Sequence, residues 1–561
     1  MKTKIKLLII ISMMVITSCK NKSENMENEL RVFIAHYDSI TEPLSKAMNL
    51  ASWQANITGK DEDFKIAEDY EKKYSQFHSN REDFKKLKAF KESDLIKDTL
   101  LARELNVLYI NYLLNQADSS LLKEIIEMET SIEKKYNNFR AEINGKKLTD
   151  NEIENVLTNS SNSKELQAAW EAHKKIGTFV ASDIINLVKK RNQLAKELGF
   201  KNFHEMSLFT NEQNPEEIDN LFNELDSLTK GSFIKAKAEV DSFLATRDNV
   251  SIDKLMPWHY QNRFFQEAPK IYKVDLDKYY KNQDLEKLTT NYYASINLPI
   301  NDLVVKSDLY EKPGKCQHAF CTDIDNLSDI RVLSNTKPNS YWMNTMLHEF
   351  GHAIYFKFIN RDLPYVLRQP AHIFTTEAIA MMFGRLSKNP QWIQDMTGIS
   401  DKEKKQIEGD CSKSLRLEEL VFSRWSQVMY RFEKSLYENP DQDLNTLWWA
   451  LVEKYQMIKK PEGRNEPDWA SKIHIATSPC YYHNYLLGDL LASQINCYIC
   501  DSVLKGNIDY NMVSYYKKPE VGEYLKKKVF EPGDKYFWND MIKRATGEKL
   551  TAKYYAKQFV E

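Results

Sequence analysis

Helical spacing of apolar residues dominates this chain more than any other pattern. In residues 163–200, SKELQAAWEAHKKIGTFVASDIINLVKKRNQLAKELGF, apolar side chains recur every three or four positions between charged ones, as they do on one face of an amphipathic helix. Only 16 glycines and 16 prolines interrupt the 561 residues, so helices can run far before a breaker ends them. The sequence therefore predicts a mainly α fold.

One pair of segments departs from this pattern and predicts a small antiparallel strand pair. QHAFCTDI (317–324) and SDIRVLSN (328–335) are separated by a short polar turn that contains Asn326, which is typical of a hairpin. After the first 29 residues the sequence has no repeat, low-complexity block or flexible linker. We therefore expect residues 30–561 to form one large domain.

Charge and cysteine content exclude two classes of protein. Lys and Arg total 78 against 80 Asp and Glu, a formal net charge of −2, so no basic excess favours a nucleic-acid partner. Six cysteines follow residue 30, too few in more than 500 residues for a disulfide scaffold. The CYIC segment (497–500) has metal-like spacing but no second half, and we interpret it as part of a helix core.

The N-terminus has the features of an export signal. Lys2, Lys4 and Lys6 precede an apolar run from residue 7 to 16 that is too short to span a bilayer. The run ends in ITSC, which resembles a bacterial lipobox, and this predicts a signal peptide over residues 1–18 and lipidation of Cys19. Residues 19–29 would form the tether, and a lipid-anchored location in a bacterial cell envelope is the expectation.

The segment MLHEFGHAIYF (346–356) carries the chemistry of a metal site. On a helix His348 and His352 lie one turn apart on the same face and can reach one ion, while Glu349 beside them can meet an attacking water. A catalytic zinc also needs a third protein ligand. Glu377, 25 residues after His352, completes a His–His–Glu set, and His372 and Asp362 are the alternatives.

A second stretch supplies candidate groups for stabilising an oxyanion. SKIHIATSPCYYHNYLLGDLL (471–491) places neutral hydrogen-bond donors close together, and such donors stabilise a developing oxyanion. They are His474, Tyr481, Tyr482, His483 and Tyr485. Without other support, an aromatic cluster of this kind is more often part of a core.

Together these residues resemble the angiotensin-converting enzyme family of peptidyl-dipeptidases. The resemblance is spread over nearly the whole chain beyond the tether, in an ordered set of segments. They are ASWQANITGK (51–60), AAWEAHKKIG (168–177), CQHAF (316–320), HEFGHAIYFKFINRDLPYVLRQPAHIFTTEAIA (348–380), WWALVEKYQ (448–456), SKIHI (471–475) and ATGEKL (545–550).

The resemblance implies a large helical zinc-peptidase fold, with two halves around a deep cleft and the strand pair beside the active site. It implies one Zn²⁺ per chain on His348, His352 and Glu377, with Glu349 as general base. His474 corresponds to the transition-state histidine of the family. The remaining roles concern substrate: His318 and Ala319 for backbone pairing, and Gln266, Lys472 and Tyr481, with neighbouring Tyr482, for the C-terminal carboxylate.

The sequence departs from the family pattern at four positions. A gapless count from His474 places Asn484 where the family has its oxyanion tyrosine, so we assign that role to Tyr485 with a one-residue insertion. His483 and Val452 replace two arginines tied to chloride activation, and chloride dependence is therefore not expected. Met381 replaces a carboxylate near the metal, which leaves open what orients the ligands.

The resemblance implies an enzyme that acts on short peptides and releases C-terminal dipeptides. We expect it to be a monomer that is anchored to the membrane as a lipoprotein. Two alternatives remain open. The GKCQHAFC segment and the spacing of eleven between His474 and Tyr485 are also similar to the thimet-oligopeptidase relatives, which would make the chain an oligoendopeptidase. From another class, it would be an inactive lipoprotein that only binds peptides.

Overall fold

The structure is a computed structural model that describes residues 2–506 and 508–560, with side chains described from residue 22 onward. The predicted lipidation site Cys19 and the signal segment lie outside the residues whose side chains are described. Among the described residues no helix is long and apolar enough to cross a membrane. The chain is mainly α, as the apolar spacing predicts.

Twenty-three α-helices follow one another along the described chain. The first twelve are α1 (Lys2–Thr58), α2 (Asp61–His78), α3 (Arg81–Glu92), α4 (Thr99–Leu113), α5 (Ser119–Asn138), α6 (Asp150–Asn159), α7 (Ser163–Lys174), α8 (Ile176–Glu197), α9 (Phe203–Thr210), α10 (Pro215–Arg247), α11 (Asp277–Tyr280) and α12 (Leu285–Ser295). The others are α13 (Asn301–Val304), α14 (Ser340–Lys357), α15 (Ile373–Gly384), α16 (Pro390–Thr397), α17 (Asp401–Glu438), α18 (Leu444–Leu451), α19 (His474–Thr477), α20 (His483–Tyr498), α21 (Pro519–Leu525), α22 (Trp538–Thr546) and α23 (Lys553–Phe559).

Local sequence signals start the two longest helices after α1. Asn214 accepts hydrogen bonds from the first backbone N–H groups of α10, whose first residue is Pro215. Ser400 and Glu403 form a reciprocal capping box at the start of α17. Both devices satisfy N–H groups that have no partner inside a helix.

Two short antiparallel strand pairs complete the fold. β1 (Ala141–Ile143) pairs with β2 (Lys146–Leu148), and β3 (Phe320–Asp323) pairs with β4 (Ile330–Leu333). The β3–β4 pair is the predicted hairpin, and Asn326 in its turn has a φ of 54°. It is shorter than predicted at both ends: Asp323 and Asp325 accept hydrogen bonds from the turn backbone, and at the open end the Ser334 N–H donates to the Asp308 carbonyl instead of across the pair.

Two large hydrophobic cores divide the molecule into halves. The first core is built mainly from α3, α4, α12, α14, α15 and α20 to α23, and the second mainly from α5 to α8, α18 and residues 469–482. The long helices α10 and α17 contribute to both cores. Elements of different cores therefore meet along these two helices, which agrees with the two-halved fold.

The C-terminal part of α1 lies over the β3–β4 pair. Trp53 packs edge-on against Phe320 with ring centroids 6.0 Å apart. The Asn49 side chain donates to the carbonyls of Asp323 and Ile324 at 3.3 and 3.1 Å. This small third core fixes the strand pair in place.

The six cysteines among the described residues are all free thiols. Cys497 and Cys500 lie buried at the end of α20, as the interpretation of CYIC as helix core predicts. The fold is thus held by packing rather than by covalent cross-links.

Candidate active site

Helix α14 brings the two histidines of the opening motif together. Asn339 caps the helix by accepting from the Trp342 backbone N–H. One turn apart on this helix, the Nε2 atoms of His348 and His352 lie 3.2 Å from each other. Burial lowers the pKa of His348 to about 4 and holds that of His352 well below its usual value, so both imidazoles are neutral near pH 7, the form that binds metal ions.

Glu377 on α15 completes the cluster. Its Oε2 lies 3.6 Å from His348 Nε2 and 3.8 Å from His352 Nε2. Among the described residues, these three form the group of His, Cys, Asp and Glu side chains suited to one ion. Burial, followed by the charge of Asp489, raises the pKa of Glu377 to about 7.

The two alternative third ligands lie elsewhere. His372 is the N-cap of α15: its Nδ1 accepts from the Phe374 N–H, and its Nε2 faces the Asn211 carbonyl at 2.9 Å. Asp362 is exposed and outside the cluster. Both His372 ring nitrogens are therefore used in holding the fold.

Two close helix approaches set the spacing of the cluster. A Cβ on Gly351 would lie 2.8 Å from the Ala380 Cα, so only glycine lets α14 approach α15 this closely. A Cβ on Gly488 would lie 3.3 Å from the Glu377 Cβ, where α20 packs on α15. The glycine inside HEFGH thus has a packing role distinct from the ligands beside it.

The cluster fits a tetrahedral ion. With bonds of about 2.0–2.1 Å, tetrahedral Zn²⁺ needs ligand atoms about 3.3 Å apart, and the three separations here are 3.2, 3.6 and 3.8 Å. The side chains of His348, His352 and Glu377 remain 25, 12 and 17% exposed. Three protein ligands with access to solvent are the arrangement of a catalytic rather than a structural zinc site.

Glu349 lies beside the ligands and is buried. Burial is the main cause that raises its pKa to about 8, and the neighbouring Glu377 carboxylate is the second. A cation at the cluster would oppose both effects by favouring the carboxylate. The Glu349 carboxyl group therefore has the position and the tunable proton affinity of a general base.

The start of α20 distinguishes Tyr485 from Asn484. Glu377 contributes to the raised pKa values of both Tyr485 and Tyr481, which places these phenols near the cluster. Asn484 is fully buried and its Oδ1 accepts from the Gln213 side chain at 2.7 Å. The geometry favours Tyr485 over Asn484 as the oxyanion donor.

Two further residues of this stretch have separate surroundings. Burial, then the charge of Lys472, lowers the pKa of His474 to about 4, so this imidazole is a neutral donor. Its ring stands edge-on to Tyr482, 5.4 Å between centroids. His483 is buried against the Gln213 Oε1 at 2.6 Å, on the side of Asn484.

Lys472 and Gln266 meet as the predicted carboxylate clamp requires. The Lys472 Nζ donates to Gln266 Oε1 at 2.6 Å, and the side chain is buried. No carboxylate in the part of the chain that the structure describes forms an ion pair with this ammonium. Instead three rings surround it at 5.3 to 5.4 Å, those of Phe264, Trp425 and Tyr482.

The clamp tyrosine favoured by geometry is Tyr482. Tyr482 contacts the ammonium, whereas Tyr481 packs edge-on against Tyr485 with centroids 5.3 Å apart. The one-residue insertion that we expect to exchange Asn484 for Tyr485 would also exchange Tyr481 for Tyr482, so both tyrosines remain candidates for the clamp.

The predicted substrate-pairing residues lie just before β3 rather than within it. His318 is exposed and Ala319 partly buried, and β3 begins at Phe320. The next residue, Cys321, has a thiol whose raised pKa reflects burial and then the Glu349 charge. The strand pair is therefore beside the cluster, as predicted, and His318 and Ala319 lie outside its ladder, with His318 in a bend.

Two adjoining cavities connect the cluster to the clamp. A cavity of about 190 Å³ is lined by His348 and Met381, and one of about 610 Å³ by Gln266 and Phe422. The two share four lining residues, Lys388, Glu418, Glu419 and Asp489. Within the wall, Arg385 pairs with Glu419 at 2.8 Å and with Asp489 at 2.5 Å.

Sequence reasoning missed several residues of this site. The Thr376 hydroxyl contacts His352 Nδ1 at 2.7 Å, and Asp489 acts on Glu377 from α20. Phe264 and Trp425 form two walls of the ring cage around Lys472. Only Thr376 carried a local signal, its place beside Glu377; the others depend on contacts between distant helices.

Comparison with known proteins agrees with this site. The family model described as angiotensin-converting enzyme matches residues 24–236 and 256–559. Angiotensin-converting enzyme of Rattus norvegicus is 22% identical over 428 residues, covering 71% of this chain and 32% of the relative. That of Theromyzon tessulatum is 22% identical over 312 residues, 53% of this chain and 50% of the relative.

A third relative, an inactive angiotensin-converting enzyme-related protein of Caenorhabditis elegans, is 22% identical over 209 residues, 36% of this chain and 22% of the relative. The chain spans about a third of the length of the mammalian relatives and about half of the Theromyzon protein. The family match covers most of the chain, including every residue of the cluster and the clamp. The chain belongs to the angiotensin-converting enzyme family.

Proposed function

We propose that this chain is a zinc metallopeptidase that releases dipeptides from the free C-termini of short peptides. The observation that carries the proposal is the buried Lys472 ammonium, which has hydrogen-bond and ring contacts but no ion pair among the described residues, although the more distant Glu267 favours its charge. A buried cation favours an anionic partner. A peptide's terminal carboxylate is such a partner.

His348, His352 and Glu377 would hold the ion. Zn²⁺ bound there would polarise the scissile carbonyl and lower the pKa of the attacking water. Glu349 is placed to take the proton of that water and to return it to the leaving amine. Burial of Glu349 raises its proton affinity, which suits a group that must both accept and donate a proton near neutral pH.

Tyr485 and His474 would stabilise the oxyanion that develops at the carbonyl. Both are neutral near pH 7, because burial raises the pKa of the phenol and lowers that of the imidazole. Neutral donors fixed by packing stabilise a developing charge without having to reorganise. Tyr485 is held edge-on to Tyr481 and Tyr482.

The clamp would set the position of the cut. Lys472 and Gln266, with Tyr482, can grip the two oxygens of a terminal carboxylate by charge and hydrogen bonds. The backbone at His318 and Ala319, just before β3, would pair with the peptide main chain, which is indifferent to side-chain identity. Binding at both places would leave two residues beyond the scissile bond.

The deciding experiment compares each of several N-terminally blocked peptides with its C-terminally amidated twin and identifies products by mass spectrometry. We expect dipeptides from the free acids and little cleavage of the amides. Equal cleavage of both would instead indicate an oligoendopeptidase. No cleavage by zinc-loaded protein would indicate an inactive peptide-binding protein, and Glu349→Gln, purified in parallel, controls for contaminating peptidases.

We also propose that the enzyme is held at a bacterial cell envelope through Cys19. The proposal rests on the apolar run that ends in ITSC. Incorporation of a labelled fatty acid into the full chain, and its loss in Cys19→Ser, would support it. Equal labelling of both proteins would count against it.

A further inference from the structure

His352 uses both of its ring nitrogens, and they face different partners. Nε2 points to the cluster, 3.2 Å from His348 Nε2 and 3.8 Å from Glu377 Oε2. Nδ1 lies 2.7 Å from Thr376 Oγ1. Thr376 is buried, with 3% of its surface exposed, so solvent does not compete for this contact.

Metal binding through Nε2 decides which nitrogen of His352 carries the proton. A neutral imidazole binds a metal through the lone pair of one nitrogen, and its single N–H is then on the other. With Nε2 in the cluster, the Nδ1–H donates to Thr376 Oγ1. A ligand whose second nitrogen is so engaged keeps one tautomer and one ring orientation.

We propose that Thr376 is a positioning residue, whose hydroxyl holds His352 in the tautomer and orientation required to bind the metal. This inference rests on the metal site of the proposed function. Thr376 immediately precedes Glu377 on α15, so the same short segment supplies one ligand and orients another. The contact is a second link between α14 and α15, next to the close approach at Gly351.

Other side chains do not offer the same support. Met381, one turn after Glu377, has a thioether that is a weak acceptor at best. Asp489 is engaged with Arg385. The Thr376 hydroxyl thus orients His352 as a carboxylate often orients a ligating histidine. Unlike a carboxylate, it adds no buried charge.

The test measures zinc affinity directly, by competition with a chromophoric chelator on the metal-free protein. Thr376→Val keeps the shape and removes the hydroxyl, and the dissociation constant should rise roughly 10- to 100-fold, the usual effect of losing such a partner. Thr376→Ser keeps the hydroxyl and should stay within about threefold of the wild type by the same reasoning.

The matched control is Thr375→Val. Thr375 is equally buried on the same helix, but its hydroxyl donates to the His372 carbonyl at 2.7 Å and makes no contact with a ligand. Its loss should lower the unfolding temperature and leave zinc affinity unchanged. Thr376→Ala serves in place of the valine variant if that protein does not fold.

Two results would overturn the inference: zinc affinity of Thr376→Val or Thr376→Ala equal to wild type, or an equal loss in Thr376→Ser. Peptidase assays distinguish failure of the inference about Thr376 from failure of the proposed function. If wild-type protein binds zinc with the predicted dependence on Thr376 but cleaves no peptide, the proposed function fails while the role of Thr376 stands.

Discussion

Replacement of Lys472 by methionine is expected to separate recognition of the peptide terminus from folding. Burial, with a smaller contribution from Arg263, lowers the pKa of this ammonium from 10.5 to about 7. At about 1.36 kcal/mol for each unit of pKa shift, the site disfavours the charged form of Lys472 by about 5 kcal/mol. Lys472→Met fills similar space among the three rings without that charge, so the unfolding temperature should not fall.

Recognition of the free C-terminus, unlike stability, should be weakened by this replacement. A hydrogen bond to a charged group contributes about 1.5–3 kcal/mol, so Lys472→Met should lower kcat/KM for a free-acid peptide by roughly 10- to 150-fold. Most of the loss should appear in KM, since the clamp binds the substrate terminus in ground and transition states alike. The amidated twin lacks the charge and should be cleaved equally by both proteins.

The assay follows both twins with wild type and Lys472→Met under one set of conditions, beside thermal unfolding of the metal-loaded proteins. Gln266→Glu is a useful companion, because it supplies the ammonium with an internal anion and should exclude the substrate carboxylate. An equal fall for acid and amide would refute the clamp. So would an unchanged free-acid rate, or a methionine variant that unfolds well below wild type.

Three other changes test separate parts of the site. The ratio of free-acid to amide kcat/KM in wild type should be constant below pH 7 and decline above it, because Lys472 loses its charge as the pH rises through its pKa of about 7; in Lys472→Met the ratio should not vary with pH. Tyr485→Phe should lower kcat by about 100-fold with KM nearly constant, as expected for the loss of one oxyanion donor. Asn484→Ala should mainly lower the unfolding temperature, because the Asn484 amide is buried against Gln213. The reverse result would exchange the roles of the two residues. Gly351→Ala should lower the unfolding free energy by about 1–3 kcal/mol through overpacking against Ala380 and weaken zinc binding, and an unaffected variant would show that this helix contact does not set the ligand spacing.

The parts of the site that could be predicted from sequence are those fixed by local geometry. His348 and His352 fall on one helix face by periodicity alone, and α14 is a helix of 18 residues. The 12-residue helix α15 is buried on nearly all sides and carries no such periodic pattern. Glu377 needed only a turn and one further helix. The strand pair was predicted in place but too long, since two aspartates satisfy the backbone at its turn and the chain after Leu333 bonds to the distant Asp308 backbone.

Contacts between distant segments could not be derived in this way. Gln266 and Lys472 are 206 residues apart, and only the family resemblance placed them together. The choice between Tyr481 and Tyr482 depends on the path of five residues before α20, which no periodicity describes. Thr376 has the same difficulty: its hydroxyl matters because α14 lies against it, and that approach is decided by the missing side chain of Gly351.

One helix contacts the surroundings of both the metal cluster and the clamp. On α17, Glu419 pairs with Arg385, which also holds Asp489 near the cluster, while Trp425, six positions later, forms a wall of the Lys472 cage. Six residues of α-helix rise about 9 Å, and two extended residues span about 7 Å. Because α17 packs into both cores, it holds these two groups of contacts at a fixed separation along its axis. A separation of this order is compatible with the proposed release of dipeptides, and the comparison of free-acid with amidated peptides tests that proposal directly.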